Sequence, residues 1–152
     1  MRVLILAIGK ARRGPEAELY RQFAERVSWP LELRELDEKR PLPPAERIAR
    51  ESELLLAAVP AGASIVALDR RGQNLSSIEL ARWLGRARER SVSVLAFLIG
   101  GAEGLSERAL QAAQLTLAFG NATWPHFLVR AMLCEQIYRA EKILAGHPYH
   151  RQ

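Results

Sequence analysis

The sequence predicts an α/β fold: a mainly parallel sheet with helices on both faces. Three observations point there. Short, continuously apolar runs end at a glycine or an aspartate, as strands buried on both faces do. Amphipathic stretches at helical spacing lie between them. The two kinds alternate along the whole chain, and such alternation builds βαβ crossovers.

The elements follow in order. "VLILAI" at 3–8 reads as a buried strand stopping at Gly9. "PEAELYRQFAERV" is a helix opened by Pro15, with Leu19, Phe23 and Val27 on its apolar side. "LELREL" alternates apolar and charged residues, so a half-exposed strand is expected. "DEKRPLPP" is a loop, because three prolines in four positions sustain neither regular element. "AERIARESELLLAAV" is a helix ending before Pro60 and Gly62. "SIVALD" is a second buried strand, "RRGQNL" a loop, and "SSIELARWLGRARER" a helix whose Ser76 and Glu79 fit a capping box. "SVSVLAFLIG" is the longest strand candidate. "SERALQAA" is a short helix capped by Ser106, "LTLAF" the last strand, and Pro125 opens a helix to about Leu144. Neither repeats nor a linker interrupt the run, so residues 1–152 read as one domain.

At 152 residues with 49% hydrophobic and 26% charged content, the chain can bury a proper core and is not of disordered type. The net charge of +5 favours polyanionic partners, nucleic acid first. A single cysteine, Cys134, excludes an internal disulfide and fits a small buried hydrophobe better than a reactive thiol. The six apolar residues before Gly9 are short for a secretory signal and far short of a membrane span. A soluble cytoplasmic protein, with no membrane partner, is expected.

Ligands of such sheets bind at loops leaving the carboxyl ends of strands. Three loops qualify: "LDRRGQNLS" after the strand ending at Asp69, "IGGAEGLS" after the strand ending near Ile99, and "FGNATWPH" after the strand ending at Phe119. In the second, Gly100 and Gly101 either make a tight turn or let backbone approach a ligand. The pattern is neither a dinucleotide fingerprint nor a P-loop. In the third, Trp124 and Phe119 either offer flat surfaces to a base or belong to a core or interface. Asp69 suits a ribose hydroxyl or a turn anchor; Arg70 and Arg71 suit phosphate or solvent. The last helix is apolar on more than one side, and a homodimer is the simplest second partner. Glu135 and Arg139 are spaced to pair on its polar side. The tail "HPYHRQ" holds two histidines, a tyrosine and an arginine without metal-ligand spacing, so no metal is expected.

The segments "LILAIGK", "ALDRRGQNLSSIELA", "LIGGAEGLS", "ATWPHFLVRAMLCEQIYRA" and "HPYHR" together resemble the SPOUT superfamily of RNA methyltransferases. More closely, the chain looks like the bacterial ribosomal large subunit methyltransferase H family, over essentially its whole length. Ala102 stands where that family often has proline, and Gln152 replaces a charged last residue. The resemblance implies methylation of N3 of a pseudouridine in 23S ribosomal RNA, on the assembled ribosome. It implies S-adenosylmethionine as donor, a homodimer, and a C-terminal trefoil knot forming the cofactor pocket. Carried over by position, cofactor contacts fall at Leu68, at Gly100 and Gly101, and along Phe119, Gly120, Asn121, Ala122, Thr123 and Trp124. The imide nitrogen must lose a proton, so His150 is the expected base, with Tyr149 orienting the ring and Arg151 meeting a phosphate or carbonyl. A non-enzymatic RNA-binding module and a nucleotide-binding domain are the rival readings.

Overall fold

A computed structural model describes residues 1–148. Five strands form one sheet in the order β2-β1-β4-β3-β5, every pairing parallel. They are β1 (Arg2–Ile8), β2 (Leu31–Leu36), β3 (Ser64–Asn74), β4 (Val94–Ile99) and β5 (Leu115–Ala118). The helices are α1 (Pro15–Ala24), α2 (Pro44–Ala58), α3 (Ser77–Glu89), α4 (Glu107–Ala112) and α5 (His126–Leu144).

Strand periodicity divides the core. Val3, Ile5 and Ala7 point to one face, joining Leu80 and Leu84 of α3 and Leu133 and Ile137 of α5. Leu4, Leu6 and Ile8 point to the other, against Leu55 of α2 and Ala109 of α4. Both faces of β1 are sealed, which is why its sequence shows no alternation. Helices therefore cover both faces, as the apolar runs predict. None of the helices among the described residues is long and apolar enough to cross a membrane.

Most expected boundaries hold within a residue or two, and three readings are corrected. The first concerns β3, which does not stop at Asp69. It pairs with β5 at Val66–Leu68, departs, and rejoins at Gln73 and Asn74, so Leu117 is opposed first by Leu68 and then by Gln73. "RRGQNL" is thus largely strand, and β3 rather than β4 is the longest. Gly72 makes the return feasible: a Cβ there would lie 2.6 Å from the Thr116 carbonyl oxygen. Second, β4 starts only at Val94, because Ser91 takes a left-handed conformation (φ 59°) closing the turn after α3. Third, α1 ends at Ala24 and leaves Leu19 exposed, while Tyr20, one residue on, packs against the core. The charges of "DEKRPLPP" are also more than a solvated link. Arg40 and Arg50 both bind the Glu38 carboxylate, and the Arg40 hydrogen bonds hold it down to about 2.

The caps match expectation. Ser76 Oγ accepts from the Glu79 N–H and the Glu79 carboxylate accepts from the Ser76 N–H. Ser106 Oγ accepts from the Ala109 N–H. Helix α5 ends at left-handed Gly146, where the His147 N–H reaches the Lys142 carbonyl at 2.8 Å. Within the chain α5 packs on both α1 and α3. Cys134 is buried there, and burial pushes its thiol up to about 12, as suits an inert core residue. Glu141 is buried too, and its oxygens accept from the Ser28 and Trp29 N–H groups ahead of β2. Arg139 and Glu135 pair at 2.6 Å.

Candidate active site

The carboxyl ends of β3, β4 and β5 open onto one cavity of about 830 Å³, within the range of small-molecule sites. The three loops nominated from the sequence all contribute to it. Leu68, Gly100, Gly101, Phe119, Gly120, Ala122, Thr123 and Trp124 line it. Asn121 does not; it is exposed, and its Oδ1 accepts from Asn74 Nδ2 at 3.2 Å.

Each loop has its own support. After Leu68, β3 makes its excursion through Asp69–Gly72. The Asp69 carboxylate accepts from the Arg71 backbone N–H at 2.9 Å and from Arg71 Nε at 2.8 Å, and Arg71 Nη2 reaches the Leu105 carbonyl. Burial alone would raise the Asp69 carboxyl, but the Arg71 hydrogen bonds outweigh it and hold it below its ordinary value. Asp69 is therefore the turn anchor, occupied by its own arginine. Arg70 is exposed on the cavity lining.

The loop after β4 is folded on itself. Gly101 and Gly104 form an antiparallel bridge, the Gly104 N–H donating to the Gly101 carbonyl at 3.1 Å. A Cβ on Gly100 would meet the Gly104 carbonyl oxygen at 2.6 Å; one on Gly101 would meet Glu51 Oε2 at 2.8 Å. Both glycines are demanded by close packing, and that packing brings bare backbone to the cavity. Beneath them Glu51 of α2 is 5% exposed, and its Oε2 has no hydrogen-bond partner among the described residues. Burial raises its carboxyl above the usual range, against the lowering effect of Arg47.

The loop after β5 is held by side chains instead. Asn74 Oδ1 accepts from the Gly120 N–H at 2.9 Å. Trp124 Nε1 donates to the Phe119 carbonyl at 2.8 Å, and the residue stays 43% exposed. Trp124 is neither core residue nor helix cap but a strut across its own turn. His126 then enters the cavity lining at the start of α5. Burial, aided by Arg130, lowers its pKa below the ordinary histidine value.

Sequence reasoning did not single out Asn74, Glu51 or His126. Nor did it give a role to Arg130, which is 2% exposed and bonds Glu35 Oε2 at 2.7 Å and the carbonyls of Ile8 and Gly9 at 2.8 and 2.7 Å. Only "PHFLVR", quoted as a family segment, carried a signal for His126 and Arg130. Tyr149, His150 and Arg151 lie outside the described residues.

Residues 1–150 match the family model described as "Predicted SPOUT methyltransferase". The chain belongs to the SPOUT methyltransferase family. Curated relatives extend the match over full length. "Ribosomal RNA large subunit methyltransferase H" of Paramagnetospirillum magneticum is 52% identical over 151 residues, 99% of each chain. The protein of the same name from Rhodospirillum centenum is also 52% identical, again over 99% of each. That from Afipia carboxidovorans is 48% identical over 159 residues. A solved probable methyltransferase from Bordetella pertussis aligns with a TM-score of 0.59 at 14% identity, covering 91% of this chain and 95% of its own; it supports the fold alone. The methyltransferase family rules out the purely nucleotide-binding reading of the glycine loops.

Proposed function

We propose that this protein methylates N3 of a pseudouridine in 23S ribosomal RNA, using S-adenosylmethionine and acting on the assembled large subunit in the cytoplasm. The observation that carries this reading is the convergence of three strand-end loops on one cavity in a chain of this family, about half identical to full-length rRNA methyltransferases. The residues present fit the donor. The cavity has room for a nucleoside with a short tail, and close packing at Gly100 leaves no side chain there. Leu68, Gly100 with Gly101, and Phe119 through Trp124 would hold it. When bound, S-adenosylmethionine supplies a methyl group on a sulfonium centre.

The chain's own work is alignment and proton removal. Fixed turns that hold two reactants together convert a bimolecular encounter into an oriented one, worth several kcal/mol of barrier. The apolar part of the lining, Leu68, Ile99, Leu117 and Val129, excludes water. The imide N3–H of the base is weakly acidic, and a neutral imidazole is the side chain suited to accept its proton near pH 7. His150 takes that role in this proposal, Tyr149 orients the ring and Arg151 meets a phosphate or carbonyl. The protein works as a homodimer, consistent with Leu128, Met132 and Tyr138 of α5 being only half-buried within one chain. The segment beyond β5 threads as the trefoil knot of its family; pulled from both ends, the chain should then extend to less than its unknotted contour length.

The decisive test is methyl transfer to ribosomes from a strain lacking this protein, with nucleoside analysis of the RNA. N3-methylpseudouridine is expected; its absence, or methyl on another nucleoside, overturns the assignment. His150→Ala should cut methyl transfer and leave S-adenosylmethionine affinity within about twofold; parallel loss of both would remove His150 from the proton step.

A further inference from the structure

We infer that the loop joining β1 to α1, "GKARRG" at 9–14, is the RNA grip of this enzyme: Lys10, Arg12 and Arg13 clasp backbone phosphates beside the target base. This rests on the proposed rRNA substrate and adds the surface that receives it.

The three side chains are exposed, and none has a carboxylate partner among the described residues. Several arginines elsewhere are spoken for: Arg34, Arg50, Arg71, Arg130 and Arg139 each sit on an acid. Position gives the free trio its meaning. Ala7 of β1 pairs with Ile99 of β4, so this loop leaves the sheet at the level of the Gly100–Gly101 turn. A Cβ on Gly101 would lie 3.2 Å from Ile8 Cγ2, and one on Gly9 would lie 3.4 Å from His126 Nε2. The loop thus abuts two parts of the cavity rim. Its base is rigidly moored. Arg130 binds the Ile8 and Gly9 carbonyls, Glu35 joins Arg130 to the Ala11 N–H, and Gly9 turns in a left-handed conformation (φ 91°). A buried arginine is thereby used to hold backbone, while the cations above it stay free for a polyanion.

A second basic group, Arg86, Arg88 and Arg90, is exposed at the far end of α3. That helix begins at the carboxyl end of β3 and finishes at the start of β4, so this group lies at the opposite edge of the sheet. It provides an internal control of equal charge.

The experiment compares K10E/R12E/R13E with R86E/R88E/R90E as full-length proteins methylating large ribosomal subunits. The loop variant should raise KM at least tenfold, leave kcat within about twofold, and leave S-adenosylmethionine affinity unchanged by calorimetry. The slope of log(kcat/KM) against log(salt) should flatten by about 2, as loss of three phosphate contacts requires. The far-edge variant should keep its KM. K10Q/R12Q/R13Q, which avoids introducing negative charge, should raise KM by a smaller factor and covers the case in which reversal disturbs folding. An unchanged KM in both loop variants, or an equal rise in the far-edge variant, overturns the inference. Dissociation of the loop variants to monomers in sedimentation would also overturn it, by making the loop a protein contact. Failure of the rRNA reading looks different, because the unsubstituted protein itself would then be inactive on ribosomes.

Discussion

The turns after β4 and β5 face each other across the cavity and are built on opposite principles. The β4 turn is fixed by volume: Gly100 and Gly101 have no space for a Cβ, and the Gly101–Gly104 bridge closes it. The β5 turn is fixed by polar ties from Asn74 and Trp124, and Ala122, Thr123 and Trp124 remain exposed. Gly120 sits in a left-handed conformation (φ 85°), yet nothing lies within 4 Å of where its Cβ would be. One wall presents backbone that cannot shift without moving a strand end. The other presents side chains held at two points. A glycine in a binding loop therefore has no single meaning; space decides at one wall and dihedral angle at the other.

The largest effect should come from Gly100→Ala. The added methyl meets carbonyl backbone at 2.6 Å, which cannot rotate aside, so the turn must move. S-adenosylmethionine affinity should fall about a hundredfold by calorimetry, and stability by about 1–3 kcal/mol in chemical denaturation. Affinity within twofold of the unsubstituted protein would remove the rigid-wall idea.

Gly101→Ala should cost less, because its nearest obstacle is a side chain, Glu51 Oε2 at 2.8 Å. About tenfold weaker binding is expected, and combining it with Glu51→Ala should restore part of the loss. If the double variant is no better than the single one, the obstacle lies elsewhere.

At the opposite wall, Asn74→Ala leaves the Gly120 N–H without its acceptor and should cost about 1 kcal/mol, with binding weakened only several-fold. Gly120→Ala meets open space and bears conformational strain alone, about 1–2 kcal/mol, with binding within about threefold. A Gly120→Ala loss as large as that of Gly100→Ala would erase the contrast between the walls.

The smallest effect is a pH signature of Glu51. Burial raises its carboxyl in the fold, with Asp37 and Glu103 adding to the rise and Arg47 opposing it. A raised carboxyl means the folded state favours the proton, so this group destabilises the fold once pH climbs past its ordinary range. Glu51→Gln should therefore raise Tm more at pH 8 than at pH 5. An equal gain at both would show that the buried charge is not its cause.

Local signals read well wherever one residue and its near neighbours set the outcome. The Ser76–Glu79 box and the Ser106 cap are interactions within a few positions, so the letters alone announce them. Buried strands were legible because both faces of β1 are apolar. The return of β3 through Gln73 and Asn74 was not legible, since "RRGQN" reads as a loop until β5 lies beside it and Gly72 admits the Thr116 carbonyl. Tyr20 rather than Leu19 faces inward for the same reason: which side of α1 is covered depends on α5 and on the short reach of a helix ending at Ala24.

By itself the sequence determined the αβ alternation, the parallel sheet and the three loops at its carboxyl edge, because burial periodicity and turn chemistry are local properties. Only the tertiary structure decided what those loops do to one another. It made Asp69 an anchor for Arg71, set Glu51 beneath Gly101, and used Arg130 to moor the chain where β1 ends. The Glu51 and Arg130 outcomes depend on contacts between residues tens of positions apart, and Arg71 is held beside Asp69 by its further reach to the Leu105 carbonyl; at such contacts a distance of a few ångströms separates a clash from a hydrogen bond.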